Sequence, residues 1–416
     1  MAPTAPDDLS ERSESGAAAT AGTPGGPRGR GADQTGLRDW NERLVLSLVR
    51  RHGALSKAQI ARRAQLSAQG VASIVGRLEA RGLLARGEAQ RGQVGQPAIP
   101  FRIRADGAHA LGLEIGRRSA EMVCLDFAGG VLGAETIRYR WPDVEAVIAF
   151  ARGAARRLSP PSRPLAGLGV ALPGELWNWQ DATGAPPGAL ESWRTIDLRG
   201  ALSVATGLEV TVENDATAAC GADLLARSGA ETDFLYVFVG AFVGGGVVLG
   251  GSVFPGPSAN AGALGPLPIP VEGGTGQLLD VASLIVLERA IAASPGSPPY
   301  LFGSEDWPVG GEAGAIATRW LARCADALAH AMVSACSIID FEAVIIDGAL
   351  PPEVRARLVR AVGESLSRLD LRGLRAPRLL EGAVGARAPA IGAATLALRE
   401  RYLLNADAIH KRAPRG

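Results

Sequence analysis

Residues 56–78 read SKAQIARRAQLSAQGVASIVGRL. Ser56 followed by Gln59 is a capping box opening a short helix through Ala64, with Ile60 and Ala61 turned inward. Residues Ala64–Leu66 make a tight turn, and Ser67 caps a further helix whose buried stripe is Val71, Ile74, Val75 and Leu78. Upstream, Leu44, Val45, Leu48 and Val49 recur at helical spacing between Trp40 and Arg51, and Gly53 stands where a C-terminal cap would sit. Two short helices joined by a tight turn are helix-turn-helix geometry, in which the second helix lays its N-terminal residues against base edges in the major groove. Opposite the buried stripe stand Gln69, Ser73 and Arg77. Gln69 is the best base reader and Ser73 a second, with Ser67 at the start of the same helix. Lys57, Arg62, Arg63 and Arg77 are expected to grip phosphates. Downstream, residues 82–86 open a strand, residues 91–97 (RGQVGQP) form a hairpin tip and residues 101–104 return. This is a wing, whose Arg91 and Gln96 could reach a minor groove. The competing reading of the same helices is a basic protein-interaction bundle.

Charge separates these readings. Residues 37–104 carry 13 Lys or Arg against 4 Asp or Glu, while the chain of 416 residues has a net charge of only +1. One small basic segment beside an acidic remainder is the pattern of a module that meets a polyanion, here duplex DNA. Residues 1–36 are rich in Ala, Gly, Pro, Ser and Thr and are expected to be a disordered tail. No apolar run of about 20 residues and no basic-then-apolar leader is present, so a cytoplasmic protein without a membrane partner is expected. Cys124, Cys220, Cys324 and Cys336 lack CxxC spacing, which points to reduced thiols rather than disulfides or zinc.

Beyond a boundary near residue 105, strands and helices alternate as in an α/β domain running to residue 416. His109–Gly116, Ala120–Phe127 and Val131–Tyr139 read as strands, followed by a helix from about Asp143 and a strand Leu165–Leu172. Glu209–Glu213 is a further strand leading into a small-residue helix, Phe234–Gly240 and Val243–Leu249 a hairpin, and Val344–Gly348 a late buried strand.

At these residues the chain resembles the ROK family of repressors, open reading frames and sugar kinases. The resemblance rests on residues 169–174 (GVALPG), 212–219 (VENDATAA), 239–247 (VGAFVGGGV) and 261–265 (AGALG), and extends over roughly residues 40–400. It implies a winged helix-turn-helix followed by a two-lobed actin/hexokinase-like domain with a cleft between the lobes, an α/β fold. Asp215 matches the position of the base that, in the family's kinases, takes the proton of the attacking sugar hydroxyl.

Phosphoryl transfer also needs loops that hold the nucleotide's phosphates and a metal ion. Where the kinases have Asp-x-Gly-x-Thr/Lys, this chain has Glu114-Ile115-Gly116-Arg117-Arg118; Ala241-Phe242 replaces a Gly-Thr-Gly run and would crowd the phosphates. Ala263-Leu264-Gly265-Pro266 stands for the family's Glu-x-Gly-His, Leu279 for another sugar-binding Glu, and Pro270–Ser283 lacks its zinc ligands. No catalysis, cofactor or metal is therefore expected. Asn214 and Asp215 can still hydrogen-bond vicinal hydroxyls, and Glu175, Trp177, Asn178 and Trp179 follow the Pro-Gly turn in what reads as a flexible loop where Trp could stack on a sugar ring. Alternatively the two Trp cover the core and Asp215 is a helix N-cap. The functional expectation is a homodimeric or homotetrameric repressor of carbohydrate metabolism, binding a DNA operator and a carbohydrate-like effector. The alternatives are an active ROK-type sugar kinase with an added DNA-binding domain, and a repressor whose cleft is vestigial.

Overall fold

The computed structural model describes residues 34–88, 99–160, 165–227, 231–294 and 307–404. The expected tail up to residue 33 and the wing tip with Arg91 and Gln96 lie outside the described residues.

The first helix, α1 (Gln34–His52), begins three residues inside the stretch expected to be a tail. After β1 (Leu55–Ser56), α2 (Lys57–Ala64) opens on the capping box: Gln59 N–H donates to Ser56 Oγ (3.3 Å) and Ser56 N–H to Gln59 Oε1 (2.8 Å). Gln65 takes the left-handed conformation at φ 54° and turns the chain into α3 (Ala68–Ala80), whose Ser67 cap accepts from Gly70 N–H. The strands β2 (Leu84–Arg86) and β3 (Pro100–Ile103) pair as the wing, and β1 joins β3, an addition to the expected hairpin.

The large domain repeats one plan twice. In the first lobe, β4 (His109–Ile115), β5 (Ser119–Asp126) and β6 (Val131–Arg138) form an antiparallel meander. The helix α4 (Val144–Leu158) then leads to β7 (Leu165–Leu172), parallel to β4. The short α5 (Gln180–Thr183) and α6 (Ser192–Thr195) precede α7 (Leu198–Thr206) and β8 (Val210–Asn214). The helix α8 (Asp215–Ala226) follows β8 directly. The second lobe has β9 (Phe234–Val239), β10 (Val243–Leu249) and β11 (Ser252–Phe254) as its meander. A small hairpin of β12 (Pro268–Val271) and β13 (Gly274–Gln277) comes next, then α9 (Leu279–Ala282), α10 (Leu284–Ala292) and α11 (Gly311–Cys336). Last come β14 (Ala343–Gly348), α12 (Pro352–Leu366), β15 (Arg378–Glu381) and α13 (Ala388–Tyr402). The sheet orders are β6-β5-β4-β7-β8 and β11-β10-β9-β14-β15, so each lobe reads third, second, first, fourth, fifth.

The strand pleat explains how the lobes are joined. On β4 and β7, Leu111, Leu113, Ile115, Leu168 and Val170 point into the first lobe's own core. The alternate positions Gly112 and Gly169 face α13, whose backbone comes so close that a methyl on either glycine would collide with Ala390 or Ala393. Across α13, Gly392 lies against the Ala218 backbone of α8, and α8 in turn rests on Gly244 and Gly246 of β10. The last helix is thus wedged between one lobe's sheet and the helix that lies on the other lobe's sheet. Its many small residues, Ala388, Ala390, Gly392, Ala393, Ala394 and Ala397, suit a helix enclosed on several sides.

The residue-105 boundary is a short 3₁₀ turn, Ala105–Gly107, rather than a linker. One hydrophobic cluster runs through it: Leu44, Leu48, Ile60, Val75 and Phe101 pack together with Ala110, Val123, Phe127, Ala394, Leu398 and Tyr402. Among the described residues no helix is long and apolar enough to cross a membrane. All four cysteines are free, and three of them are buried.

Gly392→Val should disturb both helix contacts at once. A loss of about 1–3 kcal/mol or more is expected, measured by chemical denaturation, with the exposed-turn variant Gly273→Ala (φ +84°, no neighbour within 4 Å) losing less.

Candidate functional site

The residues expected at a site fall into two sets. On the winged helix, Val71, Val75 and Leu78 are fully buried and Ile74 nearly so, which turns Ser67, Gln69 and Ser73 outward together with Lys57, Arg62 and Arg63 of the preceding helix. Ser67 is committed to its cap, and Lys57 Nζ lies 5.5 Å from the centre of the Phe101 ring. Arg77 departs from its expected role: its Nε donates to Glu42 (2.7 Å) and its Nη1 to Ser73 Oγ (2.9 Å). Arg81 takes the other Glu42 oxygen at 2.6 Å. Because Glu42 is buried on α1, these pairs brace α3 on α1, while Gln69, Arg62 and Arg63 stand exposed as long donors.

The second set surrounds the start of α8. Asn214, not Asp215, is the N-cap: its Oδ1 accepts from Ala216 N–H (3.0 Å) and Thr217 N–H (3.2 Å). That leaves Asp215 at the first helical position with one oxygen on Ala216 N–H (2.8 Å). Burial pushes the Asp215 carboxyl above the usual range, opposed by these backbone donors. Beside it Glu114, at the end of β4, is raised to about 8, first by burial and then by the charges of Glu121 and Asp215. Glu121 is held by Arg387 at 2.9 Å. The sequence names Glu114 only as the residue in place of the kinases' Asp, and gives no role to Glu121. Apart from His109 at its start, the strand around Glu114 is apolar or glycine, which is the signal for this carboxyl.

The segment after the Pro-Gly turn is not the flexible loop expected. Leu176–Trp179 is a 3₁₀ helix, Leu176 is buried, and Trp177 packs on the first lobe's core, which is the covering role weighed above. Trp179 instead meets Phe242 edge-on, 3.9 Å between centroids. Glu175 sits at φ 48°, a strained conformation for a residue other than glycine, and its carboxylate accepts from Asn178 (2.9 Å). Glu175 and Asn178 remain exposed. Among the described residues no three His, Cys, Asp or Glu side chains converge as a metal set.

The ROK family model matches residues 110–400. The chain belongs to the ROK family. A MarR family model matches residues 36–93, so this member carries an N-terminal winged helix. A Sinorhizobium fredii protein, uncharacterised y4fQ, is 25% identical over 85% of this chain and 89% of its own length. The transcriptional regulator Rv0485 of Mycobacterium tuberculosis is 30% identical over 62% of this chain and 61% of its own. The xylose repressor of Bacillus subtilis is 21% identical over 58% and 64%. Among solved structures, a ROK family transcriptional regulator homologous to the E. coli MLC protein superposes with a TM-score of 0.62 at 19% identity, covering 88% of this chain and 96% of that one. A glucokinase from Streptomyces griseus, solved with glucose and AMPPNP, gives 0.53 at 19%, covering 70% and 99%. This ROK member therefore pairs a MarR-type winged helix with the actin/hexokinase-like fold.

Glu114 yields a signed pH dependence. Between pH 4.5 and about 8 its carboxyl keeps a proton in the folded protein that the unfolded chain releases, so stability falls as pH rises through that window. Glu114→Gln should melt above the parent at about pH 9, with the gap closing toward about pH 4. Parallel melting curves that do not converge at low pH would contradict the assignment.

Proposed function

We propose that the chain is a DNA-binding transcriptional repressor of carbohydrate metabolism, with operator affinity set by a small sugar-like effector in a kinase-like cleft that performs no phosphoryl transfer. Gln69 reads bases, with Ser67 and Ser73 beside it at the start of α3, while Lys57, Arg62 and Arg63 hold phosphates. Asn214, Asp215, Glu175 and Asn178 offer hydrogen bonds to effector hydroxyls, and Trp179 offers a ring face. A homodimer or homotetramer would match an inverted-repeat operator with half-sites about one helical turn, or a multiple of it, apart. The carbohydrate class comes from the names of the relatives, the xylose repressors above all.

The observation that carries this reading is that α1 touches both lobes. Arg43 donates to the carbonyls of Arg399 (3.2 Å) and Leu403 (3.0 Å) at the end of α13, and Leu404 N–H donates to Ser47 Oγ (2.8 Å). Arg50 donates to Phe127 O (2.7 Å) after β5, where burial lowers its pKa to about 10. Arg51 reaches the turn after β10, 3.3 Å from where a Cβ on Gly251 would stand. A change in the lobes' relative position must therefore move or strain the helix on which α3 is braced. An effector that favours one lobe arrangement changes DNA affinity by its differential binding, a coupling of about 1–3 kcal/mol.

Electrophoretic mobility shift at fixed salt, with the region upstream of the chain's own coding sequence against random duplex, is the direct test. Gln69→Ala should reduce discrimination between the two by about 1–3 kcal/mol with little change in salt dependence. Arg62→Ala should weaken both complexes and lower the salt slope by about 1. Equal binding to both duplexes by the unaltered protein would overturn the reading. Retention of Asp215 favours one other activity, a sugar kinase, which hexose-dependent ATP consumption abolished by Asp215→Asn would establish.

A further inference from the structure

Two contacts between the lobes stand outside the hydrogen-bonding groups assigned to the effector. Arg117, in the turn between β4 and β5, forms an ion pair with Glu288 on α10, 171 positions away. Both side chains are buried, 3% and 8% exposed. The second contact is the edge-on packing of Trp179 on Phe242, which lies in the turn between β9 and β10. Since the two sheets share one strand order, these turns are equivalent: each joins the first and second strands of its lobe.

In each lobe the two contacting residues belong to one fixed piece. On the first side, Arg118 donates to Thr183 O (2.8 Å), which ties the β4–β5 turn to the helix that follows Trp179. Tyr139 Oη donates toward Gly116 O and Ser119 O (2.7 and 2.8 Å), spanning the turn. On the second side, the first N–H groups of α10 donate to the β9–β10 turn, Leu284 to Gly240 O (3.0 Å) and Ile285 to Ala241 O (3.2 Å). Val243 N–H donates to Ser283 Oγ (3.1 Å) in the same place. Arg117 and Trp179 therefore move together against Glu288 and Phe242.

A buried ion pair is costly to desolvate and tolerable only when both partners meet, so it adds little to stability but penalises every geometry that buries one charge alone. Across a hinge this leaves two favoured arrangements, one paired and dry, the other parted with both charges hydrated. We propose that Arg117–Glu288, with Trp179–Phe242 beside it, is an interlobe latch, and that its engagement sets operator affinity. The regulatory half of this proposal rests on the repressor reading above. Through Trp179, which adjoins Glu175 and Asn178, an effector in the cleft has direct access to the latch.

The test uses the full chain, hydrogen exchange and mobility shift on the upstream duplex. In Glu288→Gln, amide exchange should accelerate by about tenfold or more in residues 116–119 and 284–288 together, and operator affinity should change by about tenfold. The exchanged pair, Arg117→Glu with Glu288→Arg, should return both towards the parent values. Should Glu288→Gln fail to fold, Phe242→Ala, which removes a part-exposed ring, should give the same paired changes. Unchanged exchange in both segments would overturn the latch, and faster exchange with unchanged operator affinity would overturn its regulatory role. If the unaltered protein does not discriminate the upstream duplex, the repressor reading falls and the regulatory half with it. If it does discriminate and the variants bind alike, the repressor reading stands and only the regulatory role of the latch falls.

Discussion

The molecule depends on how closely α13 approaches its neighbours. Backbone packed against backbone at Gly112, Gly169 and Gly392 leaves no side chain in between to yield, so the helix cannot slide without carrying the first lobe's sheet or α8 with it. That rigidity gives the contacts at its end their meaning. Arg43 donates to the carbonyls of Arg399 and Leu403 at the end of α13, and so joins the DNA-binding module to the part of the large domain least able to deform.

The same helix relates the cleft to the winged helix. Asp215 opens α8, α8 lies along α13, and α13 ends beneath α1, so the path from the proposed effector site to α3 passes through packed helices and the Glu42 ion pairs. Polar groups recur where elements must be held in one register: Glu42 between α1 and α3, Arg50 against the β5–β6 turn, Arg117 against Glu288. Each would be a poor source of stability in an apolar core. Their common property is that they tolerate one geometry and penalise displacement.

Local signals in the chain were strong wherever a rule acts over a few residues. The Ser56–Gln59 box, the Ser67 cap, the period of Val71, Ile74, Val75 and Leu78, and the strand Leu165–Leu172 all stand where their spacing placed them. The 3₁₀ helix at Leu176–Trp179 was missed because Leu176 and Trp177 are ordered by a core assembled from distant segments, and nothing near them in the chain announces it. The exposed neighbours of Arg77 on α3 point to a phosphate grip. Glu42, its partner, lies 35 positions away.

By itself the sequence determined the elements, the basic module, the family resemblance and the retained Asp215, because propensity, capping and motif spacing are properties of short stretches. It also carries a second, polar stripe on α1, where Arg43, Ser47 and Arg50 recur at helical spacing. Only the tertiary structure decided that this stripe seats on α13 and the β5–β6 turn, that Asn214 rather than Asp215 caps α8, and that Arg117 meets Glu288. The physical reason is that a buried charge is defined by its partner, and here the partners come from segments that only the folded chain brings together.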